Sequence, residues 1–219
     1  MQEGNKMTLK QGLLITMEGP DGSGKTMQMD LLEKALREQG YPVIRSREPG
    51  GTPIGEAIRS VILNPEYTEM DQMTEAMLYA ASRAQHVAEK IKPAMKDGYI
   101  VLLDRFLDSS LVYQGIARGM TIETIEAINQ YATGGLQPDA TIMVYIDYEE
   151  GLRRKKQQNG SLDRMEAQQD NFHRRVNEGY LQLAHRYPER IQLVDGARDP
   201  QTIHQDILKR VQDLVQAKA

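Results

Sequence analysis

Apolar residues along this chain gather into five short runs: Leu13 to Glu18, Pro42 to Ser46, Tyr99 to Asp104, Thr141 to Asp147 and Ile191 to Asp195. They are rich in aliphatic and β-branched residues, the pattern of strands covered on both faces. Between them, apolar positions recur at helical spacing, as in Leu31, Leu32, Ala35 and Leu36, and again in Ile54, Ala57, Ile58, Val61 and Ile62. Thr52 followed by Pro53 predicts an N-cap and first helical position, and Asn64-Pro65 predicts the stop of that helix. Asp71 to Lys92 reads as one long helix that Pro93 is expected to end. Strands alternating with helices predict an α/β fold with a five-stranded parallel sheet flanked by helices. There is no internal repeat and no low-complexity linker.

The first apolar run leads into Gly19-Pro20-Asp21-Gly22-Ser23-Gly24-Lys25-Thr26, which fits G-x-x-x-x-G-K-[ST]. Placed between a strand and a helix, such a stretch is a phosphate-binding loop. Its glycines let backbone N–H groups converge on one anion, and the helix that follows adds its positive N-terminal dipole. Lys25 is expected to reach phosphate and Thr26 a Mg²⁺ ion, so all eight residues form a candidate ATP site.

The 219 residues fit one domain with an insertion better than two domains, here residues 11–219 behind a polar N-terminal tail, 1–10. The absence of cysteine excludes disulfides, thiolate metal sites and a cysteine nucleophile, and agrees with a cytoplasmic protein. No run approaches the roughly 18 to 20 apolar residues of a membrane-spanning helix, and the N-terminus lacks a signal-peptide core. A net charge of −4 gives no general nucleic-acid surface, so neither nucleic acid nor membrane is expected as a partner. A guanine-reading N-K-x-D is missing: Asn5-Lys6-Met7-Thr8 lacks the aspartate and precedes the loop. Motor and transporter ATPases usually need a longer chain, which leaves the small phosphotransferases.

Several further segments carry a family resemblance. Arg47-Glu48-Pro49-Gly50-Gly51-Thr52 and Tyr79-Ala80-Ala81-Ser82-Arg83 are two of them. Asp104-Arg105-Phe106, Asp108-Ser109-Ser110, Tyr113-Gln114-Gly115 and Leu162-Asp163-Arg164 complete the set. From about Leu13 to the C-terminal helix, the chain resembles the thymidylate kinases of the bacterial class, which carry basic residues in a lid. The resemblance implies a three-layer P-loop nucleotide kinase fold and a cytoplasmic homodimer. It also implies Mg²⁺-dependent transfer of the γ-phosphoryl group from ATP to dTMP, giving dTDP and ADP on the way to dTTP. Two positions depart from the family pattern: Phe106 stands where tyrosine is commoner, and Met27 where a second threonine is frequent.

A nucleoside monophosphate is mostly ionised at neutral pH, its second pKa being about 6, so its phosphorylation requires no general base. The barrier is electrostatic, and preorganised cations must hold the charge of a loose transition state. Arg59 and Arg105 fall near the carboxyl ends of predicted strands, where α/β ligands bind. The resemblance gives both to the acceptor phosphate, a role that a bidentate guanidinium suits. Asp104 ends an apolar strand, and its carboxylate has two readings, a position near Mg²⁺ or an ion pair that orients Arg105. Asp21 puts a negative charge inside an anion site; by resemblance it turns to the 3′-hydroxyl of the acceptor sugar.

The loop holds no arginine, so the required cation is expected from Arg153-Arg154-Lys155-Lys156 and Arg164, with Arg153 and Arg164 favoured. A lid at about 151–164, with the polar stretch Gln157 to Ser161, is expected to close over ATP and exclude water. Tyr79 and Arg83, four apart, share a helix face and could present a ring and a fork of donors to a base. Thymine O4 accepts where cytosine N4 donates, so Arg83 facing that edge would reject cytosine. By resemblance Ser110 and Gln114 complete the base contacts, and Tyr113 crowds the sugar 2′ position. Two other readings remain: a kinase for dUMP or deoxynucleosides, and a nucleotide-binding regulator without catalysis. The mark of the second, loss of Lys25, Arg105 or the lid cations, is missing.

Overall fold

The structure, a computed structural model, describes residues 9–156 and 162–218. Five parallel strands form one sheet in the order β2-β3-β1-β4-β5. They are β1 (Leu13–Glu18), β2 (Val43–Arg47), β3 (Ile100–Asp104), β4 (Ala140–Tyr145) and β5 (Ile191–Asp195). Alternate residues face opposite sides of the sheet. Leu14, Val101, Leu103 and Met143 belong to one core, while Leu13, Ile15, Leu102, Ile142 and Val144 belong to the other. The second core is closed by α1 (Lys25–Glu38) and α9 (Pro200–Lys218), through Leu32, Leu36, Ile207 and Val211. On the first side pack α3 (Gln72–His86), α6 (Ile122–Thr133) and α8 (Asp170–Arg186), through Ala76, Ile125 and Tyr180. No helix among the described residues is long and apolar enough to cross a membrane.

Capping chemistry sets α2 (Pro53–Leu63): Thr52 Oγ1 accepts the Gly55 N–H at 3.0 Å, and Asn64 leaves the helix in an extended conformation. The long helix behaves differently from its sequence expectation. Pro93 does not end it; the chain runs through a π-helical turn, Val87–Ile91, into α4 (Lys92–Lys96). Proline removes one N–H and presses on the carbonyl four residues back, and a widened turn absorbs both effects. Lys92 N–H accordingly donates to Val87 O, five residues back. A second π-helical stretch, Leu111–Ala117, follows the short α5 (Leu107–Ser110) and carries Tyr113 and Gln114. The helix α7 (Tyr148–Lys156) follows β4. Gln157 to Ser161, the expected tip of the lid, and residues 1–8 of the N-terminal tail lie outside the described residues.

Candidate active site

Because β1 and β3 are hydrogen-bonded neighbours, their carboxyl ends place Gly19 and Arg105 side by side. Gly19 has φ 135°, and a side chain there would collide with the Val144 carbonyl, so the turn out of β1 admits only glycine. Gly24, at φ 95°, caps α1, and Lys25 opens it. The Lys25 ammonium donates to Gly19 O at 2.9 Å and Pro20 O at 2.8 Å, closing the loop into a ring. Burial, and then the positive Arg105, bring its pKa down to about 8. Glu18, fully buried, ties the loop to the next segment by accepting from Phe106 N–H at 2.7 Å and Ser109 Oγ at 2.6 Å. Burial, reinforced by Asp108, pushes its carboxyl up to about 7.

Arg105 follows Asp104 with φ 67°, the left-handed region that a non-glycine residue seldom occupies. That turn swings its guanidinium back over the loop. Nη1 donates to Gly19 O at 3.1 Å and Tyr180 OH at 2.6 Å, and Nη2 donates to Asp21 Oδ1 at 2.6 Å. Beside it opens a cavity of about 210 Å³. Asp21, Arg59 and Arg105 line one part of its wall; Tyr79, Arg83, Ser110, Tyr113 and Gln114 also line it. Every residue that the sequence suggested for the acceptor therefore borders one space, although these residues come from four separate stretches of chain.

Behind this wall lies a buried polar layer that sequence reasoning missed. Arg83, 2% exposed, donates through Nε to Glu48 Oε2 at 2.7 Å, through Nη1 to Ser110 Oγ and Asn129 Oδ1, and through Nη2 to Phe106 O. Glu48 also meets His86 Nδ1 at 3.1 Å, and His86 Nε2 lies 2.8 Å from Ser46 Oγ. Glu75 accepts from Gln114, Arg118 and Arg164. One signal was legible: Glu75, Tyr79 and Arg83 recur every four residues and so share a face of α3.

The lid cations differ from expectation. Arg164 is buried, with Nη2 2.7 Å from Glu75 Oε2 and Nε donating to Ile62 O at 2.7 Å. A buried carboxylate captures it, and it does not face the loop. Arg153 is 60% exposed and clamped to Glu150 on its own helix at 2.6 Å. From that basic run Lys155 donates to Asp21 Oδ2 at 3.1 Å, and Arg154 Nη1 donates to Gly22 O at 3.5 Å and Gly196 O at 3.2 Å. Asp21 thus sits between Arg105 and Lys155. Burial alone would raise its carboxyl, but Arg105, Lys25 and Lys155 hold it well below the ordinary carboxylate range. Thr26 and Asp104 line a separate groove together with Thr52 and Lys90. Among the described residues no cluster of three acidic or histidine side chains offers a closed metal cage.

A sequence model of the family described as Thymidylate kinase matches residues 17–207. The chain belongs to the thymidylate kinase family. The thymidylate kinase of Exiguobacterium sibiricum is 50% identical over 200 residues, 91% of this chain and 94% of that one. The family's member from Pelotomaculum thermopropionicum is 46% identical over 94% of this chain and 96% of its own. A crystal structure of thymidylate kinase from Ehrlichia chaffeensis superposes with a TM-score of 0.71 at 29% identity, covering 92% of this chain and 99% of that one. Shared architecture across this family puts the P-loop kinase fold, and a nucleotide phosphotransferase class, on firm ground.

Proposed function

We propose that this chain transfers the γ-phosphoryl group of ATP to dTMP, giving dTDP and ADP. The observation that carries the reading is the position of Arg105, which touches the phosphate loop at Gly19 O and lines the acceptor cavity. A cation there meets both polyanions, as in-line transfer demands. The Gly19–Thr26 loop takes the donor triphosphate, Lys25 exchanging its two carbonyl partners for phosphate oxygens. Arg59 and Arg105 hold the acceptor phosphate, Asp21 turns from Lys155 to the sugar 3′-hydroxyl, and Tyr113 crowds the 2′ position. Tyr79, Arg83, Ser110 and Gln114 read the base.

Hard oxygen donors on one groove suit Mg²⁺, which takes few protein ligands and completes its shell with water and phosphate. Thr26 and Asp104 would hold it, and when bound it neutralises charge on the triphosphate. Arg105 finds its hydrogen bonds at Gly19, Asp21, Ser109 and Tyr180, which favours the metal reading of Asp104 over the orienting one. The lid, residues 151–164 of a single domain, brings Lys155 to the transferred group; Arg153 joins it only after leaving Glu150. Exposed Ile54, Val61 and Met77 on α2 and α3 support a homodimer. We place the enzyme in the cytoplasm, beside its nucleotide substrates, as a step in dTTP biosynthesis.

An assay coupling ADP release to a spectroscopic signal, run with dTMP, dUMP, dCMP and thymidine, tests the assignment. The expected order puts dTMP first. Turnover of thymidine or dCMP that equals or exceeds that of dTMP would overturn it.

A further inference from the structure

Glu75 stands on α3 behind the acceptor cavity, 1% exposed, with no place in the reading above. Three side chains converge on its carboxylate: Gln114 Nε2 at 2.9 Å, Arg118 Nη2 at 2.9 Å and Arg164 Nη2 at 2.7 Å. Burial opposes its charge, but the hydrogen bonds from Arg118, Gln114 and Arg164 outweigh burial and keep the carboxyl below its ordinary pKa. An ionised carboxylate only accepts. The Gln114 amide therefore has one permitted orientation, NH₂ toward Glu75 and Oε1 away from it. Two guanidiniums anchor the carboxylate, so the neutral amide follows Glu75 and not the reverse.

Oε1 of Gln114 has no protein hydrogen-bond partner among the described residues, and Gln114 lines the cavity. Nearby, Arg83 spends four of its N–H groups on Glu48, Ser110, Asn129 and Phe106 O, which leaves one Nη2 hydrogen of the five. Gln114 and Arg83 thus have one acceptor and one donor left for a base. A thymine edge, with N3–H and O4, complements both; a cytosine edge, with a bare N3 and an N4 amine, opposes both. An amide released from Glu75 could turn over and donate to cytosine N3.

We propose that Glu75 is a specificity-positioning residue: it locks Gln114 with Oε1 toward the base, so that the site accepts a pyrimidine carrying N3–H and rejects one whose N3 is a lone pair. This rests on the cavity being the dTMP base pocket. Glu75→Asp keeps the charge that Arg118 and Arg164 need, while withdrawing the carboxylate from its neutral partner, Gln114; Glu75→Gln puts an amide there that can face Gln114 with either end, which relaxes the lock. For Glu75→Asp we expect a thermal midpoint close to that of wild type and an unchanged KM for ATP. The ratio of kcat/KM for dTMP over dCMP should fall by at least about tenfold, the loss expected when a matched hydrogen-bond pattern is relaxed. Gln114→Ala should lose the same discrimination, and the double variant should lose no more than Gln114→Ala alone. A wild-type ratio in folded Glu75→Asp, or losses that add in the double variant, would overturn the role of Glu75 alone. A wild-type enzyme that does not prefer dTMP to dCMP would overturn the reading of the pocket itself, and the role of Glu75 with it.

Discussion

At the scale of single residues, the site works by holding charge where water cannot screen it. Arg105 has a left-handed backbone and bonds to Gly19 O and to the side chains of Ser109, Tyr180 and Asp21, so on the proposed reading its removal would leave the acceptor phosphate without its central cation. Arg105→Ala is expected to lower kcat by about 10³-fold, in the range lost when a transition-state cation is deleted, while ATP binding, measured by calorimetry, changes little. Lys25 carries a pH signature. Its folded pKa of about 8 lies below its ordinary 10.5, so the unfolded chain holds the extra proton between those values. Stability of the ligand-free protein should therefore rise with pH across that window. In the same free enzyme, kcat/KM for ATP should fall as pH rises through about 8, because an uncharged amine no longer attracts phosphate. At saturating ATP, kcat should hold to higher pH, since bound phosphate restores the charge. Parallel pH profiles of the two parameters would remove Lys25 from that role.

Helices and loops set the reach of these side chains. The Glu48–Thr52 turn is held from both sides: Gly50 N–H donates to Ser82 Oγ on α3 at 3.0 Å, and Gly51 N–H to Glu56 on α2 at 2.8 Å. Arg59, on α2, braces Pro49 O at 2.9 Å. Thr52 caps that helix, so Thr52→Ala should cost about 1 kcal/mol. For a chain of this size, that is a fall in thermal midpoint of about 2–4 °C. KM for dTMP should rise as Arg59 loosens, with KM for ATP unchanged. Equal changes in both constants would mean that the cap matters only to global stability. The π-helical stretch Leu111–Ala117 does similar work without a cap. Arg118 N–H bonds to Tyr113 O at 3.0 Å, five residues back, and the wider turn carries Tyr113 and Gln114 at the cavity wall. Nothing in the local sequence announces that turn, since its registration depends on what packs against it.

Across the whole molecule, the parallel sheet supplies the frame. Strand order brings β1 and β3 together, and with them the glycine-rich loop and Arg105, the proposed acceptor cation, although Gly19 and Arg105 are far apart in the chain. The exposed apolar side chains of α2 and α3 form the face proposed for dimerisation. Met77, 52% exposed at that face, offers a direct test. Met77→Glu would place a charge in a buried interface and should shift the species seen by analytical ultracentrifugation from dimer to monomer. A wild-type sedimentation coefficient in that variant would move the interface elsewhere.

The sequence by itself determined the five strands, the phosphate loop and the caps, because each follows from local chemistry: hydrophobic period, glycine φ, proline geometry and hydroxyl capping. The residues that the resemblance suggested for an acceptor line one cavity, since the parallel sheet brings the carboxyl ends of its strands together. Only the tertiary structure decided which cation meets the loop. Along the chain Arg153 and Arg164 were the favoured cations, yet Glu150 clamps the first and Glu75 buries the second, while Lys155 and Arg154 lie at the loop. The polarity of Gln114 was decided the same way. A buried charge takes whichever partner the fold delivers, and those partners, on α3, the π-helical stretch and residue 164, meet only when the chain has folded.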